Sequence, residues 1–176
     1  NEAFRKTGMS HIVALSGYNV AIVADTLGKV ASALWFPLFG IVLFVLLTGA
    51  SSSVVRAGIM GVLAYTARAY GYDYRAKNAL WAAAALMVFW NPEILLGDIG
   101  FQLSVVATAG LVYLAPRIER GFFWVPSKYK ILVKIKEEAI TTLAAQIATL
   151  PLILYYFGRV SPYSFLINML ILPTVP

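Results

Sequence analysis

The chain of 176 residues is 60% hydrophobic and 12% charged, with a mean hydropathy of +0.78. A typical soluble domain has about 25% charged residues, so this composition is typical of a protein that spans a lipid bilayer. The absence of cysteine excludes disulfides, thiolate metal sites and cysteine nucleophiles, and a single histidine offers little to a metal; we therefore predict no metal site and no cofactor.

Apolar runs separated by charged or Gly/Pro-marked breaks predict an all-α fold, a polytopic transmembrane helical bundle of about six to seven membrane segments including broken or re-entrant helices. The chain has no initiator Met and its last apolar run is too short to span a bilayer, so we expect it to be an excerpt of a larger membrane protein. The predicted segments are 10–27, 31–49, 53–71, 78–92, 96–115, 137–157 and an incomplete one from 162.

The first segment contains the stretch TGMSHIVALSGYNV, which places His11, Ser16, Gly17 and Asn19 inside an apolar run. Polar groups at such depths usually face a bundle interior or a watery path, which makes this stretch a candidate functional site. Small polar residues can also serve helix packing alone, and this alternative stays open. The interruptions make a re-entrant or broken helix an alternative to a full crossing.

The third segment places Arg56 a few residues inside the membrane entry. Its side chain either lines a pore or snorkels to the interface. The fifth segment has Gly97, Gly100 and Ser104 at spacings of three and four residues, which predicts that they share one helix face. Gln102 is expected to bond across an interface or toward water.

A long polar loop is predicted over 116–138, with Phe and Trp side chains between its cations. Such a mixture suits anionic lipid headgroups, which we favour, or nucleic acid. When Lys and Arg are assigned to alternate sides of the membrane, most fall on the side of this loop, which predicts that it is cytoplasmic. The loop's cations are Arg117, Arg120, Lys128, Lys130, Lys134 and Lys136.

The last two segments repeat one pattern, an amide side chain a few residues before a proline. Gln146 precedes Pro151, where we expect the helix to break, and Asn168 precedes the proline of NMLILP. Broken helices line transport paths in many membrane proteins.

An enzymatic function is not predicted for this segment. Ser16 and His11 are five residues apart, about 140° around a straight helix, so they would not face each other as a nucleophile and its base. The chain also lacks a phosphate-binding loop and any cluster of carboxylates within a span.

Three motifs in order, TGMSHIVALSGYNV, SSVVRAGIMG and NPEILLGDIGFQLSVVATAGL, resemble the competence domain of the ComEC family. The family's motifs fall on His11, Ser16 and Gly17, on 56–60 and on 100–104. Many members have a second histidine where this chain has Asn19, which cannot become cationic.

The resemblance implies that residues 1–176 are part of an inner-membrane channel through which transforming DNA enters bacteria as a single strand. It also implies an extracellular oligonucleotide-binding-type domain and often a nuclease domain elsewhere in the protein, with a cytoplasmic ATPase and an extracellular DNA receptor as partners. Neutral donors with few fixed cations would let the strand move, and the basic loop would receive it or dock the ATPase. The predicted lining residues are His11, Ser16, Gly17, Asn19, Arg56, Gln102, Ser104, Gln146 and Asn168.

Two other functions stay open. A secondary transporter or ion channel would use a closed polar site near the middle of the membrane. A membrane-anchoring scaffold would only hold the nuclease and DNA-binding domains in place.

Overall fold

The computed structural model describes residues 35–121 and 130–158, and all regular secondary structure in these ranges is helical. The all-α prediction is therefore confirmed for the described residues. In chain order the helices are α1 (Trp35–Leu47), α2 (Ser52–Ala69), α3 (Ala76–Trp90), α4 (Ile94–Gly97), α5 (Ile99–Ala109), a π-helical turn (Gly110–Leu114), α6 (Ala115–Gly121) and α7 (Lys130–Phe157).

Two stretches of the described chain are long and apolar enough to cross a membrane, Ile99–Gly121 and Lys136–Phe157. The first combines α5, the π-helical turn and α6, and the second is most of α7. Helices α1 and α3 are apolar but shorter. These helices agree with a membrane protein, while the total of six to seven segments stays a prediction.

The described residues belong to two compact units, the first of which covers 35–105. Helix α2 is its centre and packs against both α1 and α3. Ile41 and Val54 form one buried cluster, and Ala84, Met87 and Phe101 form another. Outside these clusters, large apolar side chains point away from the protein; the side chain of Phe89 is 86% exposed, for example. A helix that is apolar on its outer face suits a lipid environment.

The second unit covers the described residues from 106 onward, where the π-helical turn and α6 pack against α7. The backbones approach each other closely at Gly110, since a Cβ atom there would lie 2.6 Å from the carbonyl oxygen of Ala144 and 2.6 Å from the Cβ of Ala148. A side chain at position 110 would therefore clash with the backbone of α7.

In the same unit, the hydroxyl of Thr142 is buried and has no hydrogen-bond partner among the described residues.

The predicted helix face of Gly97, Gly100 and Ser104 is wrong for Gly97, whereas Gly100 and Ser104 lie four residues apart in α5 and share a face. Asp98 has φ −107° and ψ 99°, an extended conformation that ends α4 at Gly97 and precedes α5. Gly97 therefore lies in a separate short helix, because the Asp98 side chain caps the helix that follows.

Two further boundaries differ from the prediction. The polar loop predicted over 116–138 is wrong in extent, because α6 continues to Gly121 and α7 already begins at Lys130. Charged residues marked these turns as loop, although Lys, Arg and Glu are good helix formers. The break expected near Pro151 is also wrong, since Pro151 lies inside the continuous helix α7. Proline removes one backbone donor, and a membrane helix retains its other hydrogen bonds where no water can replace them.

Candidate functional site

The second turns of α2 and of α5 meet through the side chain of Arg56. Its Nε donates a hydrogen bond to Oγ of Ser104 at 2.7 Å, and its Nη1 donates to Sδ of Met60 at 3.4 Å. The side chain is buried, with 9% exposed. The structure thus joins two motifs that are 48 residues apart in the chain.

The charge of Arg56 has neutral partners. Among the described residues no carboxylate pairs with this guanidinium; its hydrogen-bond acceptors are a hydroxyl and a thioether. A buried cation without a counter-ion is costly, because the protein interior replaces little of the hydration that the charge loses. A guanidinium has five N–H donors, so the two hydrogen bonds leave capacity for an anionic ligand.

A second contact joins the same two helices one turn nearer their N-termini. Oγ of Ser52 donates to one carboxylate oxygen of Asp98, and the other oxygen, Oδ1, accepts the backbone N–H of Phe101 at 3.0 Å. Asp98 is thereby the N-cap of α5. Ser52 and Arg56 are four residues apart and lie on one face of α2. We call the two pairs, Ser52 with Asp98 and Arg56 with Ser104, the polar ladder.

The environment of Asp98 favours its ionised form. The hydrogen bond from Ser52 lowers the pKa of the Asp98 carboxyl most, while its partial burial acts in the opposite direction. Hydrogen bonds from the backbone N–H groups of Phe101 and Gly100 lower the pKa further. Asp98 precedes the spanning stretch by one residue, so an ionised carboxylate stands at the positive N-terminal end of that helix.

Ser52 and Asp98 were missed in the sequence. The predicted segment 96–115 placed Asp98 inside a membrane span, where it had no assigned role. An aspartate three residues before Phe101, at the start of an apolar run, is an N-cap pattern and was the available signal. The partner Ser52 has a weaker signal, its position one helical turn before Arg56.

The other predicted lining residues of the described chain lie elsewhere. Nε2 of Gln102 donates to the carbonyl oxygens of Leu95 at 2.8 Å and Leu96 at 3.4 Å, so this amide satisfies the end of the preceding helix. Gln146 lies half-buried on α7, in the other compact unit.

The basic residues of the predicted loop are divided between helices. Arg117 and Arg120 are exposed on α6, where Nη1 of Arg117 donates to the carbonyl oxygen of Tyr113 at 3.1 Å. Lys130, Lys134 and Lys136 belong to α7, and Lys136 is half-buried. The roles predicted for six residues stay predictions, because these residues lie outside the described ranges: His11, Ser16, Gly17, Asn19, Lys128 and Asn168.

A cavity of about 490 Å³ lies beside the ladder, with Ser52 in its wall. Val55, Ile59, Met87 and Trp90 also line it, so most of its surface is apolar. An apolar wall offers no partner to a charged phosphate group, whereas the guanidinium of Arg56 can hydrogen-bond to its oxygens. Among the described residues, the ladder is therefore the better candidate site for an anionic ligand.

Comparison with known proteins agrees with the motifs. The family model described as Competence protein matches residues 1–176. The chain is 27% identical over 179 residues to ComE operon protein 3 of Bacillus subtilis (strain 168), an alignment that covers 97% of this chain and 22% of that relative. This chain thus spans about a fifth of the relative's length. No solved structure matches this protein. The chain therefore belongs to the competence protein family, which confirms its resemblance to the competence domain of ComEC.

Proposed function

We propose that this chain forms part of the path through which a single DNA strand crosses the bacterial cytoplasmic membrane during competence. Membership of the competence family and the apolar helices support this proposal. The observation that carries it is the buried guanidinium of Arg56, which has neutral partners among the described residues. An ionisable residue within membrane helices is by default a functional candidate.

A phosphodiester is the anion that fits this site best. The planar guanidinium matches two phosphate oxygens, and each phosphate that passes would supply the counter-ion that Arg56 lacks among the described residues. Because every nucleotide has the same phosphate, contact with the backbone is independent of base sequence. A site with one cation would also release each phosphate so that the next can follow, which a passage requires.

The surrounding parts of the proposal follow the family. The helices would lie in the cytoplasmic membrane with the basic region 116–138 on the cytoplasmic side. A cytoplasmic ATPase and an extracellular DNA receptor would act with the complete protein, and this segment would conduct the strand without catalysing a reaction. The energy would then come from outside this segment.

A second function is favoured by a specific observation, namely that both pairs of the ladder tie α2 to α5. If Arg56 serves only as a helix tie, the chain would be a scaffold that anchors other domains. The two functions differ in what Arg56→Ala and Ser104→Ala do. A tie requires both partners equally, whereas a phosphate contact depends on the charge.

The test measures DNA uptake and strand binding by the complete protein with Arg56→Ala, Arg56→Lys or Ser104→Ala. We expect Arg56→Ala to reduce uptake strongly at normal membrane levels of the protein, and Arg56→Lys to retain part of it. In binding assays, the slope of log K against log salt is negative, and loss of one phosphate contact should make it less negative by about 0.7 for a single strand. Ser104→Ala should leave that slope unchanged.

The matched control is Ser53→Ala. It removes a hydroxyl from the first turn of α2, next to Ser52, and that hydroxyl contacts Ser51 outside the polar ladder. It should have wild-type uptake and binding. Equal losses in Arg56→Ala and Ser104→Ala, with no change in the salt slope for either, would contradict the proposal and favour the scaffold.

A further inference from the structure

The connection between α2 and α3 contains three exposed tyrosines at alternate positions. Tyr70, Tyr72 and Tyr74 have 73%, 74% and 38% of their side chains exposed. We call residues 70–75, with the sequence YGYDYR, the tyrosine loop. Exposed Arg68, Arg75 and Lys77 flank or belong to it, against a single acidic residue, Asp73.

The start of the tyrosine loop has a fixed conformation. The N–H of Tyr72 donates to the carbonyl oxygen of Ala67 at 2.8 Å, and the N–H of Gly71 donates to that of Arg68 at 3.2 Å. These two hydrogen bonds form a Schellman motif, in which Gly71 has the required positive φ of 70°. The rings of Tyr70 and Tyr72 therefore project from a structured turn, so little conformational entropy would be lost when a ligand binds.

The hydroxyl of Tyr74, in the tyrosine loop, is subject to the positive charge of Arg56. Partial burial raises the pKa of the Tyr74 hydroxyl, and the positive charge of Arg56 opposes that rise. Both residues lie in the same compact unit.

We propose that the tyrosine loop is a stacking platform for the bases of single-stranded nucleic acid. Proteins that bind single strands without sequence preference combine cations along the backbone with aromatic rings under the bases. Tyr70, Tyr72 and Tyr74 supply the rings, and Arg68, Arg75 and Lys77 supply the charge. This inference rests on the proposed function and adds a base contact to the phosphate contact.

Tyrosines also gather at membrane interfaces, where they contact lipid headgroups. The excess of cations over the single acidic residue in 68–77 favours a polyanion, and membership of the competence family favours nucleic acid. The strand also explains why rings and cations occur together on one short connection. Lipid contact is retained as an outcome of the experiment.

The experiment uses the complete purified protein in lipid nanodiscs and two fluorescent strands of equal length, oligothymidylate and an abasic strand that keeps the phosphates. We expect wild type to prefer oligothymidylate. Tyr72→Ala should weaken oligothymidylate binding about fivefold or more, the effect of one lost stacking contact, and leave abasic binding unchanged. Tyr72→Phe, which keeps the ring, should bind like wild type.

Tyr155→Ala is the matched control, because Tyr155 is also highly exposed, at 81%, but lies on α7. It should bind both strands normally. If Tyr72→Ala binds oligothymidylate like wild type, the platform is wrong. If it weakens both strands equally while lowering association with anionic lipid vesicles, the tyrosines serve the membrane interface and the proposal is overturned. Failure of the proposed function is distinct, since Arg56→Ala would then leave binding of both strands unchanged.

Discussion

Asp98 offers the sharpest test of how the two motifs are held together. Its carboxylate caps α5 through the N–H of Phe101 and accepts the hydroxyl of Ser52 on α2. Loss of an N-cap costs about 1 kcal/mol, and loss of a hydrogen bond to a charged group costs about 1.5 to 3 kcal/mol. Asp98→Ala should therefore destabilise the start of α5 by about 2.5 to 4 kcal/mol. Asp98→Asn should cost about 1 kcal/mol, because asparagine is also a good N-cap.

Hydrogen exchange at the amides of residues 99–104 in the complete protein reports this local stability. We expect exchange there to be roughly thirtyfold faster or more in Asp98→Ala, with the amides of α7 as the internal reference. Ser52→Ala should give a smaller acceleration, and the double variant should show coupling between the two sites. The reasoning is refuted if Asp98→Ala exchanges like wild type, or if Ser52→Ala has no more effect than Ser53→Ala.

Three further predictions concern stability. Gly110→Ala should destabilise the packing of the π-helical turn on α7 by about 1 to 3 kcal/mol, because the new Cβ would meet the backbone of Ala144; heat inactivation of the membrane-bound protein measures this, and an unchanged inactivation temperature would contradict it. Thr142→Val should preserve or raise thermal stability, by up to about 1 kcal/mol, because it removes a buried hydroxyl without a partner among the described residues; a clear loss of stability would show that the hydroxyl is used. The pKa of Asp98 is lowered, so its ionised form stabilises the folded protein above the ordinary carboxyl pKa of about 3.9, and this contribution is lost as pH falls below that value. The difference in hydrogen exchange between wild type and Asp98→Asn should therefore shrink below about pH 3.9 and stay constant at higher pH.

The sequence predicted helices well where apolar length decides the structure. Segments 53–71 and 78–92 differ from α2 and α3 by one or two residues at each end. Fraying of helix ends accounts for differences of this size. The segment 137–157 coincides with the spanning part of α7. Long apolar runs leave the backbone no alternative to a helix in lipid, which is why composition alone suffices.

The prediction was wrong where charged residues or a proline were interpreted as the end of a helix. The charged residues of 116–121 and 130–138 are helical, because charge determines which side of a membrane a segment occupies more than whether it is helical. Pro151 stays within α7, since one missing backbone donor does not unfold a helix whose other turns are intact.

The sequence predicted two of the four residues of the polar ladder. Arg56 and Ser104 stood out as polar residues within apolar runs, but their contact across 48 residues could not be read from spacing. Ser52 was missed because a serine at a helix start has an ordinary local explanation. Asp98 was missed because the predicted span 96–115 assigned it no role. Pairing between distant helices is a tertiary property, and one sequence contains no direct record of it.

The central claim is that a DNA strand passes beside Arg56. Met60 lies next to its guanidinium, with Sδ 3.4 Å from Nη1, so a cysteine at position 60 can report contact with the strand. The measurement is the crosslinking yield between Met60→Cys in the complete protein and a strand that is stalled during uptake and has thiol-reactive groups along its backbone. Tyr155→Cys is the exposed control. The account predicts efficient crosslinking at position 60, little at position 155, and a loss of the former when Arg56→Ala is added. Equal yields at the two positions, or none at position 60 while uptake continues, would contradict it.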